Sequence, residues 1–473
     1  MTARRIAVVG SGLSGLLAAH ALRQAGHDIA LYTDRSASDW LERSRPTGAA
    51  ARFGLALAYE RALGLAHWEA AAPRALGVHL TLCPRIGNRL ITAVGRFATS
   101  YVQAVDVRLQ SQRWMTDLEA AGGRIVIEKL DVGRLDAIAA AHDLVLVGSG
   151  RGMLAELFPR NAGRSVYSAP QRKVAMAIVT GAPQASDGAP FLPVKIHILE
   201  RHGEAFFIPF HHRDHGPSWC LGFEARPGGA MDRFDRCTTG ADVVAVARAL
   251  IRELMPWEAA WASRVELADP NAWQVGEVTP TVREPVGRLP SGRVVMPIGD
   301  AAMSLDPIGA QGANLGNKQV CHVAAAIAAD PDAAFDAAWM TRTFEAFWAD
   351  HGAPTVTFNN VFLEPMTAAG RLLMISQHGS DGVTDSPRQR IADAIFENLV
   401  DPRRITDAFV DPRAARKLIA ELTGHSWRRA FLTGVLRVGS NQLRRVLGRA
   451  PPPRIPGAAG DAPGAQGTSQ GTR

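Results

Sequence analysis

Three patterns of apolar and polar positions alternate along the chain. Ile6-Ala7-Val8-Val9 is an unbroken apolar run too short for a helix, as a strand buried on both faces should be. After a glycine turn, Leu16-Leu17-Ala18-Ala19-His20-Ala21-Leu22 reads as a helix. Residues 28–35 form a second such strand and residues 143–150 a third, with residues 107–121 reading as a helix that leads towards it. Residues 77–105 and 173–224 instead alternate apolar with polar. Turn signals at Gly181-Ala182-Pro183 and Asp214-His215-Gly216-Pro217 interrupt the second of these, as expected for antiparallel strands. Val294-Val295-Met296-Pro297-Ile298 returns to the apolar-strand pattern. Beyond Asn314 the chain turns strongly helical, dense in Ala, Phe and Trp over residues 324–348, and no repeat of fixed period is evident.

Two glycine motifs sit on this framework. Gly10-Ser11-Gly12-Leu13-Ser14-Gly15 joins the first strand to its helix. Gly10 permits the tight turn, Gly12 lets a pyrophosphate approach the backbone, and Gly15 lets helix and strand pack closely. The phosphates would meet free N–H groups at the helix start, where Leu13 and Ser14 lie. A ribose-binding acid is expected about 20 residues on. The second strand ends Thr33-Asp34-Arg35, so the acid is Asp34, one place late, with Thr33 in the usual position. Side chains reverse direction at each strand residue, so the two are not equivalent. The second motif is Gly299-Asp300-Ala301-Ala302, followed by Asp306-Pro307-Ile308-Gly309-Ala310-Gln311-Gly312-Ala313-Asn314. Asp300 suits ribityl hydroxyls, and Pro307, Gly309 and Gly312 give a rigid turn that a flat ring can approach. Backbone donors at a helix starting near Gly312, with Ala313 and Asn314, would face the N1–O2 edge of a flavin. Pro307, Gly309 and Gln311 are expected nearest the reacting centre. A ligand-free glycine turn is the bland reading of the first motif; the two motifs together predict FAD.

The expected fold class is α/β, with a Rossmann-like FAD-binding domain, an inserted β-sheet substrate domain and a helical C-terminal region. The FAD-binding parts are residues 1–76, 106–168 and 276–330, and the substrate domain is residues 77–105 and 169–275. The helical region is 331–449, followed by a disordered tail at 450–473 that is rich in Pro, Gly, Ala and Ser.

Composition adds limits. The 473 residues suit more than one packed unit, and 47% hydrophobic with 21% charged residues is ordinary for a globular protein. Cys83, Cys220, Cys237 and Cys321 have no metal-ligand spacing, so reduced thiols, no metal and a cytoplasmic location are expected. Met1-Thr2-Ala3-Arg4-Arg5 leads straight into the first strand and fits no signal peptide, and no apolar run is long enough to span a bilayer. The formal charge of +7 is concentrated: residues 422–460 hold seven arginines and no acid. That argues against a globally basic nucleic-acid binder. Residues 427–447 carry a helical apolar stripe including Phe431, Leu432, Val435, Leu436, Val438 and Leu443. The favoured reading is a terminal helix packed on the body with its arginines in water. The alternative is docking on a partner or an anionic membrane.

The chain resembles the flavin-dependent styrene and indole monooxygenases, two-component epoxidases that share the fold of para-hydroxybenzoate hydroxylase. The similarity runs from the first strand to about the start of the basic helix. It rests on the glycine motifs, on Leu31-Tyr32-Thr33-Asp34-Arg35, and on Glu60-Arg61-Ala62-Leu63-Gly64 with Trp68. Val105-Asp106-Val107-Arg108-Leu109, Leu118-Glu119-Ala120-Ala121-Gly122-Gly123 and residues 143–150 are similar too. The most specific piece is Asp306-Pro307 through Gln311-Gly312-Ala313-Asn314. The resemblance implies that reduced FAD arrives from a separate NAD(P)H:flavin reductase and reacts with O2 to give a C4a-hydroperoxide. That species then epoxidises or hydroxylates a small apolar aromatic or alkene. No catalytic acid–base pair is expected, since the cofactor carries the chemistry. The resemblance places Arg108 near the flavin, with Gln110 as the lesser candidate. Single-component hydroxylases of this fold carry an Asp-Gly motif after the third strand, where this chain has Ser149-Gly150-Arg151-Gly152. Styrene epoxidases carry an asparagine over the flavin in the loop after the second strand, whereas Arg45-Pro46-Thr47-Gly48-Ala49-Ala50-Ala51 has none, which puts styrene itself in doubt.

Alternatives from other classes are a self-contained NAD(P)H-dependent aromatic hydroxylase and a non-catalytic flavin-binding redox or interaction protein. A homodimer is compatible with the sequence. His211, His212 and His215 read as a hairpin loop in preference to a metal cluster. Phe206, Phe210, Trp219 and Phe223, with Lys195 and His197, fit a pocket wall or plain core equally well.

Overall fold

A computed structural model describes residues 3–149, 153–186 and 188–446. Its first sheet has six strands in the order Gly287–Arg288, Val294–Pro297, Leu144–Val147, Arg5–Val9, Asp28–Thr33 and Arg124–Ile127. The pairs are parallel except at the edge, where Gly287–Arg288 runs antiparallel to Val294–Pro297. From Arg5–Val9 the chain steps to one side for Asp28–Thr33 and returns on the other at Leu144–Val147. This reversal opens a crevice at the carboxyl ends of the strands, where the first glycine turn lies.

Strand alternation explains the unbroken apolar runs. Ile6 and Val8 face the helices Leu13–Gln24, Val107–Ala120 and Gly312–Ala329, which bury Leu16, Leu17, Trp114, Leu118 and Leu315. Ala7 and Val9 face the opposite way, towards Leu135 and Ile138 of the helix Val132–Ala141. Both faces are covered, so polar residues have no place on either.

The second sheet runs Glu266–Leu267, Lys173–Thr180, Gly216–Ala225, Gly203–His212, Val194–Leu199, Gly77–Cys83 and Ile91–Arg96, with Trp273–Glu277 also paired to Lys173–Thr180. The pairings are antiparallel except that of Gly77–Cys83 with Val194–Leu199. One face packs Phe207, Trp219, Leu221 and Phe223 under the helix Gly240–Leu254. The other presents Met176, Ile178, Phe206, Ile208, Phe210 and Cys220 towards Phe53 and the helices from residue 353 onward. The four aromatics singled out in the sequence are therefore split by the period of two: Phe206 and Phe210 face inward, Trp219 and Phe223 lie on the far side.

The helical stretch over 324–348 is broken at Asp330-Pro331. Gly312–Ala329 ends there and Ala337–Phe347 begins. Helix Trp427–Val446 closes the described part, so the expected disordered tail lies outside the described residues. No described helix is long and apolar enough to cross a membrane.

Trp219 is fully buried, stacks edge-on to Trp261 at 4.9 Å and donates to the Pro183 carbonyl at 3.1 Å. Trp219→Ala should cost about 3–5 kcal/mol in urea denaturation while leaving the FAD dissociation constant near wild type. A change in FAD affinity with little loss of stability would place this indole at the ligand site instead.

Candidate active site

The absence of side chains brings the two glycine motifs together. A Cβ on Gly15 would stand 1.9 Å from the Gly10 carbonyl oxygen, so only glycine lets the helix Leu13–Gln24 start this close to its strand. Gly10 turns at φ +104°. Ser14 then wedges between Gly299 and Gly316, where added Cβ atoms would lie 2.6 and 2.4 Å from its Oγ. The helices Leu13–Gln24 and Gly312–Ala329 thus begin side by side. Neither has a side-chain cap or an acid in its first turn. Other helices are capped by Ser36, Asp106, Asp131, Thr239, Asp336, Thr367, Ser386 and Asp411, while Gly54–Ala62, Ala353–Leu363 and Asp407–Val410 also lack a side-chain cap. Two uncapped N-termini, with open space where a Gly12 Cβ would be, fit a dinucleotide whose phosphates and ring edge take the free N–H groups. Asp300 is exposed at the strand end, and its Oδ1 lies 4.0 Å from where a Gly312 Cβ would stand.

Thr33 and Asp34 diverge. Thr33 is buried, its Oγ1 2.6 Å from Ser11 Oγ, which also accepts from Trp40 Nε1 at 2.7 Å. Asp34 points out to water and pairs with Arg35 at 3.8 Å. Arg35 lies over the Trp40 ring at 4.9 Å and borders a cavity of about 550 Å³ shared with Arg43, Ser44, Arg45 and Gln274. The strand thus sends Thr33 into the turn and Asp34 away from it.

Asn314 joins the second motif to the loop after the second strand. Its Nδ2 donates to the carbonyls of Ala51 (2.9 Å) and Ala310 (2.8 Å), and its Oδ1 accepts from Phe53 N at 2.8 Å. Both Ala50 and Ala310 adopt left-handed backbone, at φ +44° and +52°. Below them Arg52 Nε meets Glu60 at 2.6 Å, and Asn317 donates to the same carboxylate at 3.1 Å. Gln311 is buried and donates to the carbonyls of Gly309 and Leu399 at 2.9 and 3.0 Å, so its amide reaches inward. Gly309 N donates to Asn359 Oδ1 at 3.1 Å, while the Pro307 ring is exposed. Asn359 carried no sequence signal, because its partner lies 50 residues away.

A buried pair of acids lies at the start of the Pro307 turn. Glu224, on the inner face of the second sheet, meets Asp306 at the start of the Pro307 turn; both carboxyls are buried. Glu224 Oε2 and Asp306 Oδ2 lack partners if both are ionised. A shared proton satisfies both atoms. Burial, then the neighbouring Asp306 charge, pushes Glu224 well above the usual carboxyl range, and burial raises Asp306 as well. Glu204 stands directly across the strand pair from Glu224, held by Arg172 at 2.8 Å and approached by Arg226 at 3.8 Å. Strand parity could have placed Glu224 on the inner face, but its partner 82 positions away is visible only once the fold is known.

Arg108 is fully buried. It binds Asp106 and Asp269, each at 2.7 Å, and lies 3.2 Å from His212 Nε2. Burial opposes its charge, but the two carboxylates outweigh that and raise its pKa. Burial likewise pushes Asp269 up, yet His212 and Arg108 hold it well below the usual range. The guanidinium that the resemblance places near the flavin thus locks the start of Val107–Ala120 to the second sheet, and Gln110 beside it is buried too. His212 serves this cluster, and His215 bonds to the Ala268 carbonyl at 3.0 Å. No metal-binding group occurs among the described residues. Lys195 meets Glu258 at 2.8 Å over the Trp261 ring, with His197 nearby, on the far side of the sheet from the motifs.

Two outcomes follow. Arg108→Ala strands two buried carboxylates and should cost about 3–5 kcal/mol in denaturant titration; an unchanged midpoint would contradict the ion cluster. The raised Glu224–Asp306 pair stabilises the fold fully below the ordinary carboxyl pKa, and that contribution is lost as pH rises through its folded value. Glu224→Gln keeps a donor towards Asp306 and removes the shared titration. Its melting temperature should therefore fall less than that of the wild type between pH 5 and 9, roughly the span above model carboxyl values. Parallel curves would refute the shared proton.

Known proteins resemble this chain in sequence and in fold. The family profile of the styrene monooxygenase A substrate binding domain matches residues 150–260, and that of NAD(P)-binding Rossmann-like domains matches residues 8–49. Styrene monooxygenase StyA of Pseudomonas fluorescens is 25% identical over 318 residues, covering 66% of this chain and 74% of the relative; a StyA from Pseudomonas sp aligns equally. Among solved structures, a flavoprotein/dehydrogenase from Cytophaga hutchinsonii superposes with a TM-score of 0.62 at 12% identity, over 88% of this chain and 99% of that one. The flavin-dependent brominase Bmp2 gives 0.58 at 16%, over 89% and 99%. In sequence this chain is similar to the styrene monooxygenases, and in fold to flavin-dependent enzymes and flavoproteins.

Proposed function

We propose that this chain is the oxygenase component of a two-component system. It takes reduced FAD from a separate NAD(P)H:flavin reductase and transfers one oxygen atom of O2 to a small apolar aromatic or alkene. The observation that carries this reading is the match of residues 150–260 to a styrene monooxygenase substrate domain, whose inner sheet face here carries Met176, Ile178, Phe206, Ile208 and Phe210. Bound reduced FAD supplies the two electrons that activate O2, so that one oxygen atom enters the product and the other leaves as water.

The chain's own residues position and exclude. The uncapped N-termini at Leu13 and Gly312 hold the negative parts of the cofactor by backbone N–H groups. Gly12, Asp300, Gly312 and Ala313 are the contacts proposed for its phosphates, ribityl chain and ring edge. Asn314 acts one step back, fixing Ala310 and the 47–53 loop so that Pro307 and Gly309 present a rigid edge. Phe206, Ile208 and Phe210 keep water from the reacting space. The buried Glu224–Asp306 pair, both carboxyls raised by burial, can hold a shared proton at the base of that turn. The Ser149-Gly150-Arg151-Gly152 sequence is the basis for preferring a separate reductase, and residues 150–152 lie outside the described residues. The loop over the second motif offers only small side chains at Gly48, Ala49, Ala50 and Ala51, which leaves room for a substrate bulkier than styrene, such as an indole.

Anaerobic stopped-flow absorbance tests the reading. FAD-loaded protein mixed with NADH or NADPH should stay oxidised until a flavin reductase is added, and oxygen with an indole or styrene should then yield oxygenated product. Bleaching by nicotinamide alone would make this a self-contained hydroxylase. Reoxidation without product across an alkene and indole panel would remove the oxygenase assignment.

A further inference from the structure

The helix Trp427–Val446 meets the body along one side only. Trp427, Ala430, Phe431 and Val438 pack onto the core beneath it. Gly434 lies so close to the helix Ala368–Ser376 that an added Cβ would stand 2.2 Å from the Ile375 carbonyl oxygen. Towards its far end, Asn441 bonds to His378 at 3.0 Å and Gln442 to Asn88 at 3.1 Å. These contacts fix which side faces outward.

The outward side is apolar. Leu432, Val435, Leu436 and Leu443 lie there with 59, 42, 74 and 60% of their surface exposed. With Arg428, Arg429, Gly439 and Ser440, also exposed, they recur at the spacing of one helix face. A packed terminal helix with a solvated arginine face, the reading favoured from sequence, describes the inner contacts and the margins of this face but not its centre. Single exposed leucines are ordinary; a row on one helix is not. The Arg85-Ile86 turn, two residues from Asn88, adds a further exposed apolar side chain beside the Gln442 end.

Charge and composition separate the occupants. Residues 447–473 contain Leu447 and Ile455 as their only large apolar side chains, too few to cover the stripe. A second copy docked symmetrically would set arginine against arginine, because residues 422–460 hold seven arginines and no acid. The face is a single ridge with Arg428 and Arg429 exposed at its start, the form of helix that lies in a lipid interface. We infer that helix Trp427–Val446 lies flat on an anionic bilayer surface, with Leu432, Leu436 and Leu443 among the acyl chains and the arginines at the lipid phosphates. This is contact without crossing, and it does not depend on the oxygenase reading.

Co-sedimentation of the full-length, FAD-loaded protein with vesicles is the test. Phosphatidylcholine vesicles are compared with vesicles containing about one third phosphatidylglycerol. Wild type should pellet with the anionic vesicles and be released by raised salt. Leu432→Gln, Leu436→Gln and Leu443→Gln should each weaken binding about tenfold or more, and their combination should abolish it. Arg428→Gln with Arg429→Gln should reduce the preference for phosphatidylglycerol. All these positions are exposed, so unchanged FAD binding and circular dichroism would confirm intact folding. The inference is overturned if wild type stays in the supernatant, if the triple variant pellets equally, or if lipid charge makes no difference. It is also overturned if light scattering finds a wild-type dimer that the triple variant dissolves, which would make the face a self-interface.

Discussion

Close backbone approach sets the geometry on which the other features depend. Gly15 lets the first helix start against the Gly10 carbonyl, and Gly299 and Gly316 let Ser14 lie between the second motif and its helix. Any side chain at these positions would separate the two helix starts, and with them the two sets of free N–H groups. The glycines make few attractive contacts themselves. Their contribution is steric permission, and it is what allows segments about 300 residues apart in sequence to build one crevice.

Buried charges lie at the seams around that crevice. Arg108 with Asp106 and Asp269 ties the helix Val107–Ala120 to the second sheet, and Arg52 with Glu60 and Asn317 ties the loop 47–53 to the second motif's helix. Arg172 with Glu204 joins the sheet to the Phe362 carbonyl of a C-terminal helix. Removing charges from water is expensive, and such pairs add little net stability compared with apolar packing. Their hydrogen bonds are directional, however, and fix how one layer sits on another. Glu224 and Asp306 achieve the same with two acids, at the requirement that one stays protonated.

Much of the fold was legible because period and glycine spacing are local properties. The strands Arg5–Val9, Asp28–Thr33 and Leu144–Val147, the helix Leu13–Gln24, and the helix start at Gly312 all fall where the sequence placed them. The divergence of Thr33 and Asp34 followed from strand alternation. What escaped depends on partners distant in sequence. The resemblance alone places Arg108 near the flavin; that Asp269, 161 residues on, engages its guanidinium is visible only in the fold. Glu224 and Asp306 are 82 positions apart and meet only once the Pro307 turn is seen to lie against the strand Gly216–Ala225. The leucines of the last helix were counted correctly as a stripe, but which side faces the body was set by Gly434 and Asn441, whose contacts no periodicity reports.

Ala50 holds a left-handed backbone conformation in the loop that Asn314 clamps. Alanine is a poor occupant of that conformation, and asparagine or glycine adopts it at lower cost. The loop that lacks the asparagine of styrene epoxidases therefore keeps a backbone shape in which asparagine would relieve strain. Replacing Ala50 by asparagine brings an amide to this loop while easing its backbone strain. The fold beneath this loop thus already holds the backbone shape that an amide-bearing residue at position 50 would use.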